Sequence, residues 1–105
     1  MGVGEVEITL GDKTVTLRSS LGAAKRVSAA GGYTNVMEKL MAYDMSYFVT
    51  VVSAGLNKKP MEVEEDVYKT GLPNLVADLV TYVGYLANGG RPADMSSGEK
   101  ETGEA

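Results

Sequence analysis

Residues 44–57 read DMSYFVTVVSAGLN, and no charged side chain falls between Asp44 and Lys58, the longest uncharged run in the sequence. Met45, Phe48, Val49, Val52 and Leu56 recur at i, i+3, i+4, i+7 and i+11, a helical spacing that lines one face. Val51 and Ala54 widen the apolar surface most of the way round, and only Thr50 and Ser53 interrupt it. A helix apolar on most sides is buried on most sides. At about 20 Å in length it is too short to cross a bilayer. The run therefore predicts the central helix of a small domain, capped by Asp44, with the rest of the chain packed around it.

The hairpin that precedes it is the clearest local pattern. EVEITL and KTVTLR alternate apolar and polar residues on either side of Gly11-Asp12. A two-residue loop pairs Leu10 with Lys13, Ile8 with Val15 and Val6 with Leu17. The opposite face then pairs Glu7 with Thr16 and Glu5 with Arg18, and the outermost pair has opposite charges. A lone hairpin is marginal in water, so its Val6, Ile8, Val15 and Leu17 face must lie on helices.

Four more helices follow from periodicity and punctuation. Ser19 or Ser20 caps a small-residue helix running to about Ala30, with Leu21 and Val27 as its bulky core residues and Gly31-Gly32 as its stop. Asn35-Val36-Met37-Glu38 resembles a capping box and opens a short helix to about Ala42 that buries Val36, Met37, Leu40 and Met41. Beyond the central helix, Asn57 to Pro60 is a break. Met61 to Thr70 is an acidic helix with Val63 and Val67 inward, ended by Gly71. Pro73 opens the last helix, whose stripe is Leu72, Leu75, Val76, Leu79, Val80, Val83 and Leu86, stopped by Asn88-Gly89-Gly90. The polar stretch RPADMSSGEKETGEA, residues 91–105, predicts disorder. The expected class is α+β: one domain over residues 1–90, an N-terminal two-stranded hairpin on about five short helices, then a tail.

Composition removes much chemistry. The chain of 105 residues has no Cys and no His, so thiolate chemistry, disulfides and the commonest general base are absent. A net charge of −4 argues against nucleic acid as a partner. The opening MGVGEVEI has neither the basic end nor the apolar run of a signal peptide, and Val6 stands where a myristoylation start has Ser or Thr. The expectation is a cytosolic, acidic protein away from membranes.

No catalytic set emerges. Ser19, Ser20, Lys25 and Arg26 are close in sequence, but the serines read as caps. Glu62 to Asp66 lacks the alternating ligands and turn glycine of a calcium loop, and reads as a solvated face that complements a helix dipole. The glycine pairs are not followed by the Lys-Ser/Thr of a phosphate loop. No metal or other cofactor is expected. Six Tyr point instead to protein contact, because Tyr offers area with a polar tip. Tyr33 and Tyr43 fall in linkers, Tyr47 on the back of the central helix, and Tyr82 and Tyr85 on the last helix. These five are the candidate partner-binding residues; the alternative is that they seal the domain's edge. The hairpin's outer edges, with unpaired backbone groups, are a second place for a partner.

The ordered set Gly4-Glu5-Val6, Leu17-Arg18, Leu21-Gly22-Ala23, Ala54-Gly55-Leu56 and Gly71-Leu72-Pro73 resembles the phage tail and gene transfer agent small tail protein family. Members of that family are described both as tail tube proteins and as tail assembly chaperones. The likeness spans about residues 4 to 88. Lys25-Arg26-Val27-Ser28 departs from it, where the family often carries a Leu/Glu-rich segment. The resemblance implies a non-enzymatic tail assembly chaperone that binds tape measure and tail tube proteins in the host cytoplasm. Its first alternative is a structural component retained in the virion tail. The second is a small cytosolic adaptor unrelated to phage. Association with further copies of the chain stays open.

Overall fold

A computed structural model describes residues 4–91. The elements run β1 (Val6–Leu10), β2 (Lys13–Leu17), α1 (Leu21–Ser28), α2 (Tyr33–Met41), α3 (Met45–Leu56), α4 (Pro60–Thr70), a 3-10 turn (Leu72–Asn74) and α5 (Val76–Ala87). This is an α+β fold, a two-stranded antiparallel hairpin with five helices. The disorder expected over residues 91–105 lies outside the described residues, save for Arg91.

The hairpin has the register that its alternation dictates: Val6 opposite Leu17, Ile8 opposite Val15, Leu10 opposite Lys13. Gly11 takes φ 68° at the first loop position while Asp12 keeps an ordinary φ, the pattern of a type II′ turn. Val6, Ile8, Leu10 and Leu17 are buried, and Val15 is half-buried against the same cluster. The tip is tied down as well. Gly11 N–H donates to Thr70 Oγ1 at 2.7 Å, and that hydroxyl donates to Asp66 O at 2.7 Å, so the loop rests on the last turn of α4.

Helix α3 lies at the centre. Phe48, Val49 and the whole segment 51–55 are buried, and Met45 and Leu56 are half-buried at its ends. Asp44 caps it, accepting from Ser46 N at 3.2 Å and Ser46 Oγ at 2.8 Å. Val27 of α1, Leu40 of α2, Val63 and Val67 of α4, and Leu75, Leu79 and Val83 of α5 complete one contiguous core. Val76 and Val80 pack at its margin.

Several expectations need correction. Leu21 is 78% exposed, not core: it is the first residue of α1, and the buried stripe of that helix runs through Ala23 and Val27. Met41 is 68% exposed, because α2 turns Val36 and Leu40 inward and ends at Met41. Asn35 caps nothing. Gly31 and Gly32, at φ 97° and 94°, deliver the chain straight into α2 at Tyr33. Asn35 Nδ2 instead reaches back to Ala30 O at 2.8 Å and fastens the α1–α2 turn. Tyr33 is therefore helical rather than in a linker. Pro73 sits in the 3-10 turn, and α5 begins at Val76.

The two ends of the described chain meet. A Cβ built on Gly4, at φ 80°, would fall 1.9 Å from the Gly90 carbonyl oxygen, so only glycine fits. The Ser19 hydroxyl donates to the Gly4 carbonyl from the adjoining side.

Candidate functional site at the end of the central helix

The last turn of α3 gathers partners from three parts of the chain. Asn57 adopts the left-handed conformation at φ 56°, ψ 48°. Lys58 N–H then donates to Ser53 O at 2.9 Å and Asn57 N–H to Ala54 O at 3.2 Å, a Schellman ending. Arg18 N–H, just past β2, donates to Gly55 O at 3.0 Å. Of the last four carbonyls, which no helix can satisfy internally, three are thus bonded. The Leu56 carbonyl is left without a partner among the described residues.

Arg26 reinforces this terminus from α1. Its Nη1 donates to Ser53 O at 3.3 Å, and its Nη2 to Ser53 Oγ at 3.1 Å and Lys58 O at 3.0 Å. Ser53 is fully buried, and its hydroxyl also donates to Thr50 O at 3.0 Å. A guanidinium at a helix C-terminus opposes the partial negative charge there. What looks in the sequence like an interruption of the apolar run is the socket for a cation.

Gly55 permits the close approach. A Cβ at this position would lie 2.8 Å from Leu17 Cδ2, 2.9 Å from Leu17 Cβ and 3.2 Å from Tyr82 Cζ. Tyr82 is fully buried behind it, and its hydroxyl donates to Arg18 O at 2.6 Å. Burial pushes the Tyr82 phenol well above the ordinary tyrosine range, while the Arg26 charge pulls the other way.

Outside this junction runs an open groove of about 490 Å³ between β2, α1 and the end of α3. Thr16 and Arg18 form one wall, Gly22 and Arg26 the other, and Ala54 to Asn57 the end. The small side chains keep it open. A second depression adjoins it through Arg26 and Asn57 and adds Lys58 and Lys59, with Glu62 at its rim. A cationic margin therefore surrounds one end of a protein whose net charge is −4. Among the described residues the one ion pair is Glu65–Lys69 at 3.0 Å, on exposed α4, so these cations are not neutralised by salt bridges.

The tyrosines named from sequence do not form one surface. Tyr82 is core, a correction to its place among partner-binding residues: it sits next to Val83 on the inward stripe of α5, with its polar tip satisfied by Arg18 O. Tyr33, Tyr47 and Tyr85 are half-buried against the core and seal its edge. Tyr33 OH donates to Ala24 O at 3.0 Å, and the Tyr47 hydroxyl accepts from Asn35 Nδ2 at 3.5 Å. Tyr43 alone of the five is largely exposed, with its ring 6.4 Å from that of Phe48. Sequence reasoning passed over Tyr68, which is 72% exposed beside 81%-exposed Met61 one heptad earlier on α4. The signal was available, since with Val63 and Val67 inward, positions 61 and 68 must face out.

Among the described residues, no three acidic side chains converge as a metal site, and no helix is long and apolar enough to cross a membrane. The acidic residues of α4 are exposed or half-buried along one helix. Comparison with protein-family models, with curated proteins and with solved structures finds no match to this chain.

Proposed function

We propose that this protein is a non-enzymatic tail assembly chaperone that binds tape measure and tail tube proteins while the tail of a phage or phage-like particle is built. One observation carries the reading. Leu17-Arg18, Gly22-Ala23 and Ala54-Gly55-Leu56, from three of the segments behind the family resemblance, are far apart in sequence yet meet around a single junction and its groove. A pattern spread over the chain thus falls on one surface feature of this fold, which supports the reading. The lack of His and Cys supports a binding role over a chemical one. A hairpin as the only sheet among the described residues argues against a ring-forming tube subunit, since rings are closed by more extensive β structure.

The test is a search of the gene neighbourhood for a tape measure gene and co-expression with the tape measure protein it encodes, together with mass spectrometry of purified particles. The expected result is a soluble tape measure complex and absence of the chain from mature particles. Ring-like copy number in the particle would replace the chaperone reading with a structural tail component. Failure to bind either tail protein would remove both readings and leave a small adaptor.

A further inference from the structure

The pairing pattern of the hairpin decides which backbone groups are spoken for. With a two-residue loop, Leu10–Lys13, Ile8–Val15 and Val6–Leu17 exchange the ladder hydrogen bonds. Thr14 and Thr16 then turn their N–H and C=O groups to the outer edge of β2. The next residue on that edge is Arg18, whose N–H is already taken by Gly55 O. Helix α3 therefore closes the edge at one end only. Thr14 and Thr16 make no hydrogen bond along it among the described residues, and Thr14 is exposed. Lys13 and Arg18 put positive charge at the two ends of this edge, and Thr14 and Thr16 between them leave its backbone uncovered.

We infer that the outer edge of β2 is a strand-addition site for an extended, acidic segment of a partner protein. Thr14 and Thr16 supply the ladder bonds, which give affinity without regard to sequence. Past Thr16 the segment runs into the groove at Ala54 and Leu56, where the unpaired Leu56 carbonyl offers one more acceptor. Charge selects the occupant. The Arg18 guanidinium borders the groove with no hydrogen bond or ion pair among the described residues, and Arg26 adds its field although its own donors are engaged on α3. The β1 edge differs, since over Val6–Leu10 it carries Glu7 and no basic side chain. An acidic segment is drawn to β2 and repelled from β1. This inference rests on the strand edge and its charges, and holds whether or not the partner is a tail protein.

Binding to the full-length chain is measured by fluorescence polarisation with two labelled peptides, Thr-Val-Glu-Val-Asp-Val-Glu and its counterpart with Lys at every acidic position. Backbone amide shifts locate the site. The acidic peptide should bind, shift Thr14, Thr16 and the end of α3, and weaken as salt is added. Arg18→Glu should reduce its affinity by about tenfold. Thr16→Pro, which deletes an outward N–H and leaves the ladder intact, should reduce it similarly while the melting temperature stays near that of the parent. Equal binding of the Lys peptide, binding of neither peptide, or indifference to both variants would overturn the inference. So would edge amides already protected without peptide and released by Glu101→Lys with Glu104→Lys, because the occupant would then be the chain's own C-terminal segment.

Discussion

The hydroxyl of Tyr82 donates a 2.6 Å hydrogen bond to the carbonyl of Arg18, joining α5 to the end of the hairpin across a separation of 64 residues. The ring packs against Gly55 on its way there, so one side chain ties hairpin, central helix and final helix together. Tyr82→Phe keeps the packing and deletes the bond. It should cost about 1 kcal/mol in urea denaturation, and Tyr82→Ala about 3–5 kcal/mol because a cavity opens as well. Equal losses for the two would show that the hydroxyl, not the ring, dominates.

The same phenol makes stability depend on alkaline pH. Its value is raised in the folded state above the ordinary 10.0, so the unfolded chain gives up this proton first as pH rises. Its contribution is whole below pH 10 and declines as pH climbs from there toward the raised folded value. Melting temperature should therefore fall above pH 10, and Tyr82→Phe should flatten that fall. An alkaline slope identical in parent and variant would assign it to other groups.

Gly55 and Gly22 offer a matched pair of helix glycines. Replacing a helical glycine by alanine ordinarily gains up to about 1 kcal/mol. Gly22→Ala should show this, since its Cβ would meet only Ser20 Oγ at 3.9 Å. Gly55→Ala should instead destabilise by about 1–3 kcal/mol, because its Cβ would drive into Leu17 and Tyr82. Parallel thermal melts decide this, and a stabilised Gly55→Ala would mean that the hairpin can move off α3 freely.

Arg26→Met should lose about 1–2 kcal/mol by stripping charged donors from Ser53 and Lys58. A double-mutant cycle with Ser53→Ala separates that bond from lost packing, and a coupling above about 0.5 kcal/mol is expected. Additive losses would show that the two side chains act independently.

Phe48→Ala should cost about 3–5 kcal/mol, and Val52→Asp should unfold the domain by burying an unpaired charge. Leu21→Ser should change stability by no more than about 0.5 kcal/mol, since that side chain stands in solvent. A large loss at Leu21 would mean that the exposed face of α1 is covered in solution.

Much of the architecture was legible because the relevant information is local. Alternation and a two-residue loop dictate the register of the hairpin, as the pairing of Ile8 with Val15 shows. The apolar run at 48–55 dictates a buried helix, and Asp44 its start. Boundaries were less legible where two local signals compete. Asn35 can cap a helix or reach back to Ala30, and the left-handed Gly31-Gly32 turn makes it do the second. Leu21 and Met41 are apolar residues at helix ends, where nothing in the chain itself says whether a neighbour will cover them.

The candidate site was the least legible part. Leu17, Arg18, Arg26, Ser53, Gly55 and Tyr82 each have an ordinary reading alone: strand end, surface charge, polar interruption, small residue, interface aromatic. By itself the sequence determined the order and periods of the elements, because hydrophobic burial and turn chemistry act over a few residues. Only the tertiary structure decided that α3 would end against β2 and α1, for that depends on which side chains leave room for which. Gly55 leaves the space, Tyr82 fills it from behind, and Arg26 brings a positive charge to that helix end from a separate helix.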